Sequence, residues 1–126
     1  DLLVGGKGDN ELTGGLGNDI FYIDGRDGGH NIITDFQPKN DSLYINNIIE
    51  VAQAWTDTGL NPNNRYGHLG ALRVTSLEDI TDLTRVLNNL GGSFGAYTTK
   101  NQNQLILDFG ATLVQLNGLA NDVQVK

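Results

Sequence analysis

The chain has no cysteine in its 126 residues, which excludes disulfides, zinc–thiolate sites and cysteine nucleophiles together. Basic residues are scarce: eight Lys and Arg stand against fifteen Asp and Glu, giving a net charge of −7 and a pI near 4.4. A chain of that sign argues against nucleic acid and against anionic membrane surfaces as partners. No apolar run approaches the ~20 residues of a membrane span, and the chain shows no signal-peptide pattern. H-E-x-x-H, G-x-x-x-x-G-K-[ST] and a complete G-x-G-x-x-G are all missing, so zinc proteolysis and phosphate cradling are unsupported. Gly91-Gly92-Ser93-Phe94-Gly95 does fit the G-x-S-x-G of serine hydrolases. That elbow needs a strand before the serine and a helix after it. Here the order is reversed, and the stretch reads as a turn that ends a helix. No enzyme is visible in this chain.

What the chain does have is glycine and aspartate, concentrated at one end. Gly5–Thr13 (GGKGDNELT) and Gly14–Tyr22 (GGLGNDIFY) both fit the nonapeptide G-G-x-G-x-D-x-U-x, where U is a large apolar residue. That pattern belongs to calcium-binding parallel β-helix repeats. The first block carries Asn10 where the pattern has Asp, and the second carries Asp19. Asp1 to Val4 reads as the last four residues of an earlier block, so the expectation is a piece of a longer protein. A carboxylate or amide two residues before a large apolar residue recurs five times: Asp1/Leu3, Asn10/Leu12, Asp19/Phe21, Asn31/Ile33 and Asp41/Leu43. The steps are 9, 9, 12 and 10 residues, so the later turns hold insertions.

The physical reading is that three residues of each block extend as a strand with the U side chain inward. The glycine-rich remainder makes a tight turn at positive φ, which glycine adopts at little steric cost. Two blocks complete one turn of the coil, and stacking every second block builds a core that no single block could. Asp1, Asp19 and Asp41 then fall on one side, and Asn10 and Asn31 on the other. Seven of the twelve Asp lie in residues 1–41, and residues 1–45 sum to −5 (eight acidic, three basic). Stacking them without a cation is costly. Ca²⁺ takes six to eight oxygens from carboxylates and backbone carbonyls, and its binding free energy would become folding free energy.

These residues resemble the end of an RTX (repeats-in-toxin) β-roll. Residues 18–45 are similar to the segment that closes such rolls in secreted proteases, lipases and alginate epimerases. The aromatic strand is Ile20-Phe21-Tyr22, the x-D-x-I-x-D-F element is Asn31-Ile32-Ile33-Thr34-Asp35-Phe36, and the Asp-x-apolar strand is Asp41-Ser42-Leu43. The candidate calcium ligands are Asp1, Gly6, Gly8, Asp9, Asn10, Gly15, Gly17, Asp19, Asp24, Asp27, Gly29, Asn31, Asp35 and Asp41. The all-aspartate side is expected to bind more strongly. The asparagine side is expected to be weaker, assisted by Asp9, Asp27 or Asp35. His30 lies in a calcium turn and reads as solvent-facing, since calcium prefers oxygen.

Residues 46–126 are expected to cap the roll as a small α+β segment, packed on it as a single domain. Residues 46–56 suit a short amphipathic helix with Trp55 as a core or cap residue. Residues 57–68 read as a surface loop, and Gly70–Thr75 as a strand. Ser76 starts the clearest helix: Asp79 completes a capping box, and Leu77, Ile80, Leu83, Leu87 and Leu90 give one apolar face. Gly91 ends that helix. A β-meander follows over Phe94–Thr99, Gln104–Phe109 and Thr112–Leu116. The fold class is mainly β, a calcium-stapled parallel β-roll with its cap.

The resemblance implies a secreted, extracellular bacterial module that folds on calcium and caps the roll of a larger protein exported by a type I system. Its partners would be calcium and the rest of the RTX protein. Two alternatives stand beside it. One is a polysaccharide (alginate-like) binding module, although Lys7, Arg26, Arg65, Arg73, Arg85 and Lys100 are scattered rather than striped. The other is an adhesive or surface-layer module.

Overall fold

The computed structural model describes residues 1–58, 65–66, 71–99, 101 and 103–123. Among the described residues the protein is mainly β, with two helices and two mixed sheets. In chain order the elements are β1 (Leu2–Val4), β2 (Asn10–Leu12), β3 (Ile20–Asp24), β4 (Gly29–Ile33), β5 (Ser42–Asn46), α1 (Ile49–Thr58), β6 (Arg65–Tyr66), β7 (Ala71–Val74), α2 (Leu77–Leu90), β8 (Phe94–Thr99), β9 (Gln104–Phe109) and β10 (Thr112–Asn117).

Successive short strands alternate between the two sheets. One sheet runs β1-β3-β5-β7-β6 and the other β2-β4-β10-β9-β8. In the first, β1, β3 and β5 pair in parallel, with Leu3 opposite Phe21 and Phe21 opposite Leu43. In the second, β2, β4 and β10 pair in parallel, with Leu12 opposite Ile33 and Ile33 opposite Leu116. The residue two places after each Asp or Asn therefore continues one column per sheet. Phe21, Ile33, Leu43 and Leu116 are fully buried, and each such side chain contributes about 1.5–3 kcal/mol by leaving water. Connections between the first strands are tight because Gly6 and Gly8, then Gly15 and Gly17, take φ between +70° and +95°. A side chain at any of these would be held in the left-handed region.

Residues after 46 extend both sheets and fill the space between them. Antiparallel β7 adds to β5, and β10, the last strand of an antiparallel meander β8-β9-β10, adds to β4 in parallel. The two halves share one core: Phe21, Ile33 and Leu43 belong to the same cluster as Trp55, Leu83, Leu107 and Val114. The Phe21 and Phe36 rings are tilted at 59° with centroids 6.0 Å apart. A buried hydroxyl also joins the halves. Thr112 Oγ1 donates to Gly25 O at 2.8 Å and accepts from Gly28 N at 3.0 Å. Ser76 caps α2 by accepting from Asp79 N at 3.1 Å, while Asp79 Oδ2 accepts from Thr75 N at 3.0 Å.

Several boundaries differ from the sequence reading. The first helix starts at Ile49 rather than 46, because β5 runs to Asn46 and Asn47 turns the chain at φ +60°. Arg65–Tyr66 forms a strand within the stretch read as loop, and the rest of that stretch beyond Thr58 lies outside the described residues. Gly70 also lies outside them, so the strand begins at Ala71. Leu77 and Leu90, counted in the apolar face of α2, are 37% and 39% exposed. They sit at the two helix ends, beyond the reach of the core, and Val86 is buried instead.

Candidate metal centre

The alternation of strands places Asp1, Asp19 and Asp41 at successive levels of one sheet, each directly before a strand. Backbone bonds carry the register outward: Ile20 N donates to Asp1 O at 2.8 Å, and Ser42 N to Asp19 O at 2.9 Å. Asp19 and Asp41 are each only 2% exposed. Burying carboxylates is costly unless each oxygen finds a donor or cation. For Asp41 both do: Oδ1 accepts from Asp19 N at 3.0 Å and Oδ2 from Gln37 N at 2.9 Å. For Asp19 only one does. Its Oδ1 accepts from the Asp1 α-amine at 2.8 Å, while Oδ2 is buried with no hydrogen-bond partner. Glycine at 14 makes room for that oxygen, since a Cβ there would lie 2.5 Å from Asp19 Oδ2.

The other sheet carries Asn10 and Asn31 opposite each other. Asn10 Nδ2 donates toward Gly6 O at 3.1 Å, Gly8 O at 3.0 Å and Asn31 Oδ1 at 2.9 Å. Gly6, Gly8, Asn10 and Asn31 are thus brought together, as the spacing implied. Asn31 Nδ2 lies 3.5 Å from Leu113 O, and the column ends at Val114, an apolar residue paired with Asn31.

The remaining carboxylates are held by backbone amides. Asp9 Oδ1 accepts from His30 N at 2.8 Å. Asp35 accepts from Gly14 N at 2.9 Å and Gly15 N at 2.7 Å, and so holds the glycine turn of the second block. Asp24 accepts from Arg26 N at 2.9 Å and Asn47 Nδ2 at 2.8 Å, and Asp27 N donates to Asp24 O at 3.1 Å. Asp24 and Asp27 therefore shape the turn between β3 and β4. Gly29 lies against the Gly8 carbonyl, where a Cβ would collide. His30 is half-buried, and its Nε2 is shielded without a partner, because β4 is flanked by β2 and β10. The sequence reading of a solvent-facing His30 is corrected to that extent.

Among the described residues no three Asp, Glu or His side chains converge in the manner of a side-chain metal cluster. A cation here would depend on backbone carbonyls with one or two carboxylates, a donor set suited to a hard, oxygen-preferring ion. The unpaired, buried Asp19 Oδ2 fits such an ion. Gln37 and Thr112 were not foreseen as supports. Gln37 acts through its backbone amide, which no side-chain pattern reveals, and Thr112 carries no local signal. Ser93 follows α2 and precedes β8, so Gly91 and Gly92 serve a helix-to-strand turn.

Comparison with protein-family models, with curated proteins and with solved structures finds no match. The class defined by the fold is a mainly β protein of two mixed sheets with two helices. Among the described residues no helix is long and apolar enough to cross a membrane.

Proposed function

We propose that this chain is a calcium-binding RTX module: residues 1–45 form the end of a parallel β-roll, and residues 46–126 cap it within a larger secreted protein. The observation that carries the reading is Asp19 Oδ2, buried and without a donor. Asn10 fills the same place in the preceding nine-residue block, and its NH2 reaches the carbonyls of Gly6 and Gly8. By the repeat, the corresponding carbonyls beside Asp19 are those of Gly15 and Gly17. A carboxylate oxygen cannot donate to a carbonyl; a cation between them satisfies both. Asp19 Oδ2 with those carbonyls would hold it, while Asp41, its oxygens taken by Asp19 N and Gln37 N, fixes the level beside it. The ion supplies positive charge that cancels carboxylate repulsion, so its binding free energy is released as folding free energy. In a calcium-poor cytosol the turns repel and the chain stays open for type I export. Outside, calcium folds it.

The test is far-UV circular dichroism in EGTA, titrated with calcium and separately with magnesium. A coil-to-β transition at submillimolar to millimolar calcium, absent with magnesium, is the expected result. A folded signal indifferent to calcium overturns the reading.

A further inference from the structure

Asn10 and Asp19 hold equivalent places in consecutive blocks, and they differ by one NH2 in place of one oxygen. The Asn10 NH2 faces three acceptors within 3.1 Å: Gly6 O, Gly8 O and Asn31 Oδ1. An amide nitrogen has two hydrogens, so one of these contacts is shared. The opposite amide orientation would set Oδ1 against the Gly6 and Gly8 carbonyl oxygens and is repulsive without a cation. Nitrogen therefore belongs inward. Gly5 permits the arrangement, because a Cβ there would come within 2.8 Å of Asn31 Oδ1.

We propose that the Asn10 amide is a built-in substitute for a cation. Its NH2 ties together the carbonyls of the Gly5–Asn10 turn and fastens that turn to Asn31 on β4, so this station closes without an ion. The proposal rests on the calcium reading only for the contrast with Asp19. The two sides of the stack then divide the work: the asparagine side is permanently closed, and the aspartate side closes on demand. Asn10→Asp places an acceptor against the Gly6 and Gly8 carbonyls, which turns a self-satisfied station into a cation-dependent one.

The experiment compares wild type, Asn10→Asp and Asn10→Ala by native mass spectrometry of calcium-loaded protein and by circular dichroism in EGTA and in calcium. N10D is expected to bind one more calcium than wild type and to fold with a steeper dependence on calcium concentration. N10A is expected to bind the same number as wild type, with its calcium midpoint raised roughly fivefold or more for each hydrogen bond lost. Loss of an ion in N10A, or no gain in N10D, overturns the proposal. Wild type that binds no calcium overturns the calcium reading instead. The proposal is then decided in EGTA, where N10D as stable as wild type would refute it.

Discussion

The converse substitution, Asp19→Asn, separates intrinsic stability from calcium-dependent stability within one residue. The side chains are nearly the same size, so packing against Gly14 is kept. Asp19 Oδ1 receives the Asp1 amine, and Oδ2 is the orphan. In the variant Nδ2 takes the orphan's place and donates to the turn, as Asn10 does in its own block. Removing an unpaired buried acceptor and adding a donor is expected to favour the calcium-free folded state by about 1–3 kcal/mol relative to the unfolded chain. That corresponds to roughly a 5- to 150-fold rise in the folded-to-unfolded ratio without calcium. In saturating calcium the order reverses. On the proposed calcium site, wild type would gain about 4 kcal/mol when free calcium is ~1,000 times its Kd, and the variant would lose that gain. Circular dichroism in EGTA, where the variant should show more β signal than wild type, and urea unfolding in calcium read the two signs. An Asp19→Asn protein less stable than wild type under both conditions would refute the reasoning, because Asp19 Oδ2 would then have a structural partner.

Other substitutions test the frame around this site. Asp19→Ala should raise the calcium midpoint of folding more than Asn10→Ala; equal effects in a calcium titration would sink the distinction between the two sides. Thr112→Val leaves Gly25 O and Gly28 N without their shared hydroxyl and is expected to cost about 2–4 kcal/mol; urea unfolding showing less than ~0.5 kcal/mol would contradict that role. Gly29→Ala drives a methyl group into the Gly8 carbonyl, whereas Gly15→Ala at nearly the same φ meets open space. The second should cost about 1–2 kcal/mol and the first markedly more, so matching melting temperatures would refute the close approach of the two turns.

The early strands were legible because two independent periodicities agree. Glycines at fixed places permit positive φ, and an apolar residue two places after Asp or Asn marks each inward side chain. The longer steps to Asn31 and Asp41 did not break the columns, because the extra residues lie in the turn after Asp24 and in the loop that brings Gln37 N to Asp41. Helix α2 was legible from Ser76, Asp79 and Gly91, whose capping is local chemistry. What stayed hidden was non-local. Nothing in Thr112–Asn117 announces that β10 pairs with β4 in parallel, since Val114 follows Asn31 in the column without being polar. The satisfied state of Asp9 and Asp35 was hidden for the same reason: their donors lie about 20 residues away along the chain, on neighbouring turns.

The alternation of strands between sheets also sets a counting rule for changes in length. Leu3 pairs with Phe21, eighteen positions on, and the block between them belongs to the opposite sheet. Removing or duplicating a single nine-residue block would move every strand on its N-terminal side to the other sheet, setting an asparagine level over an aspartate level. Removing or duplicating two would leave every column in place. The natural quantum of length variation in this architecture is therefore the pair of blocks, and homologous chains of different length should differ by even numbers of them.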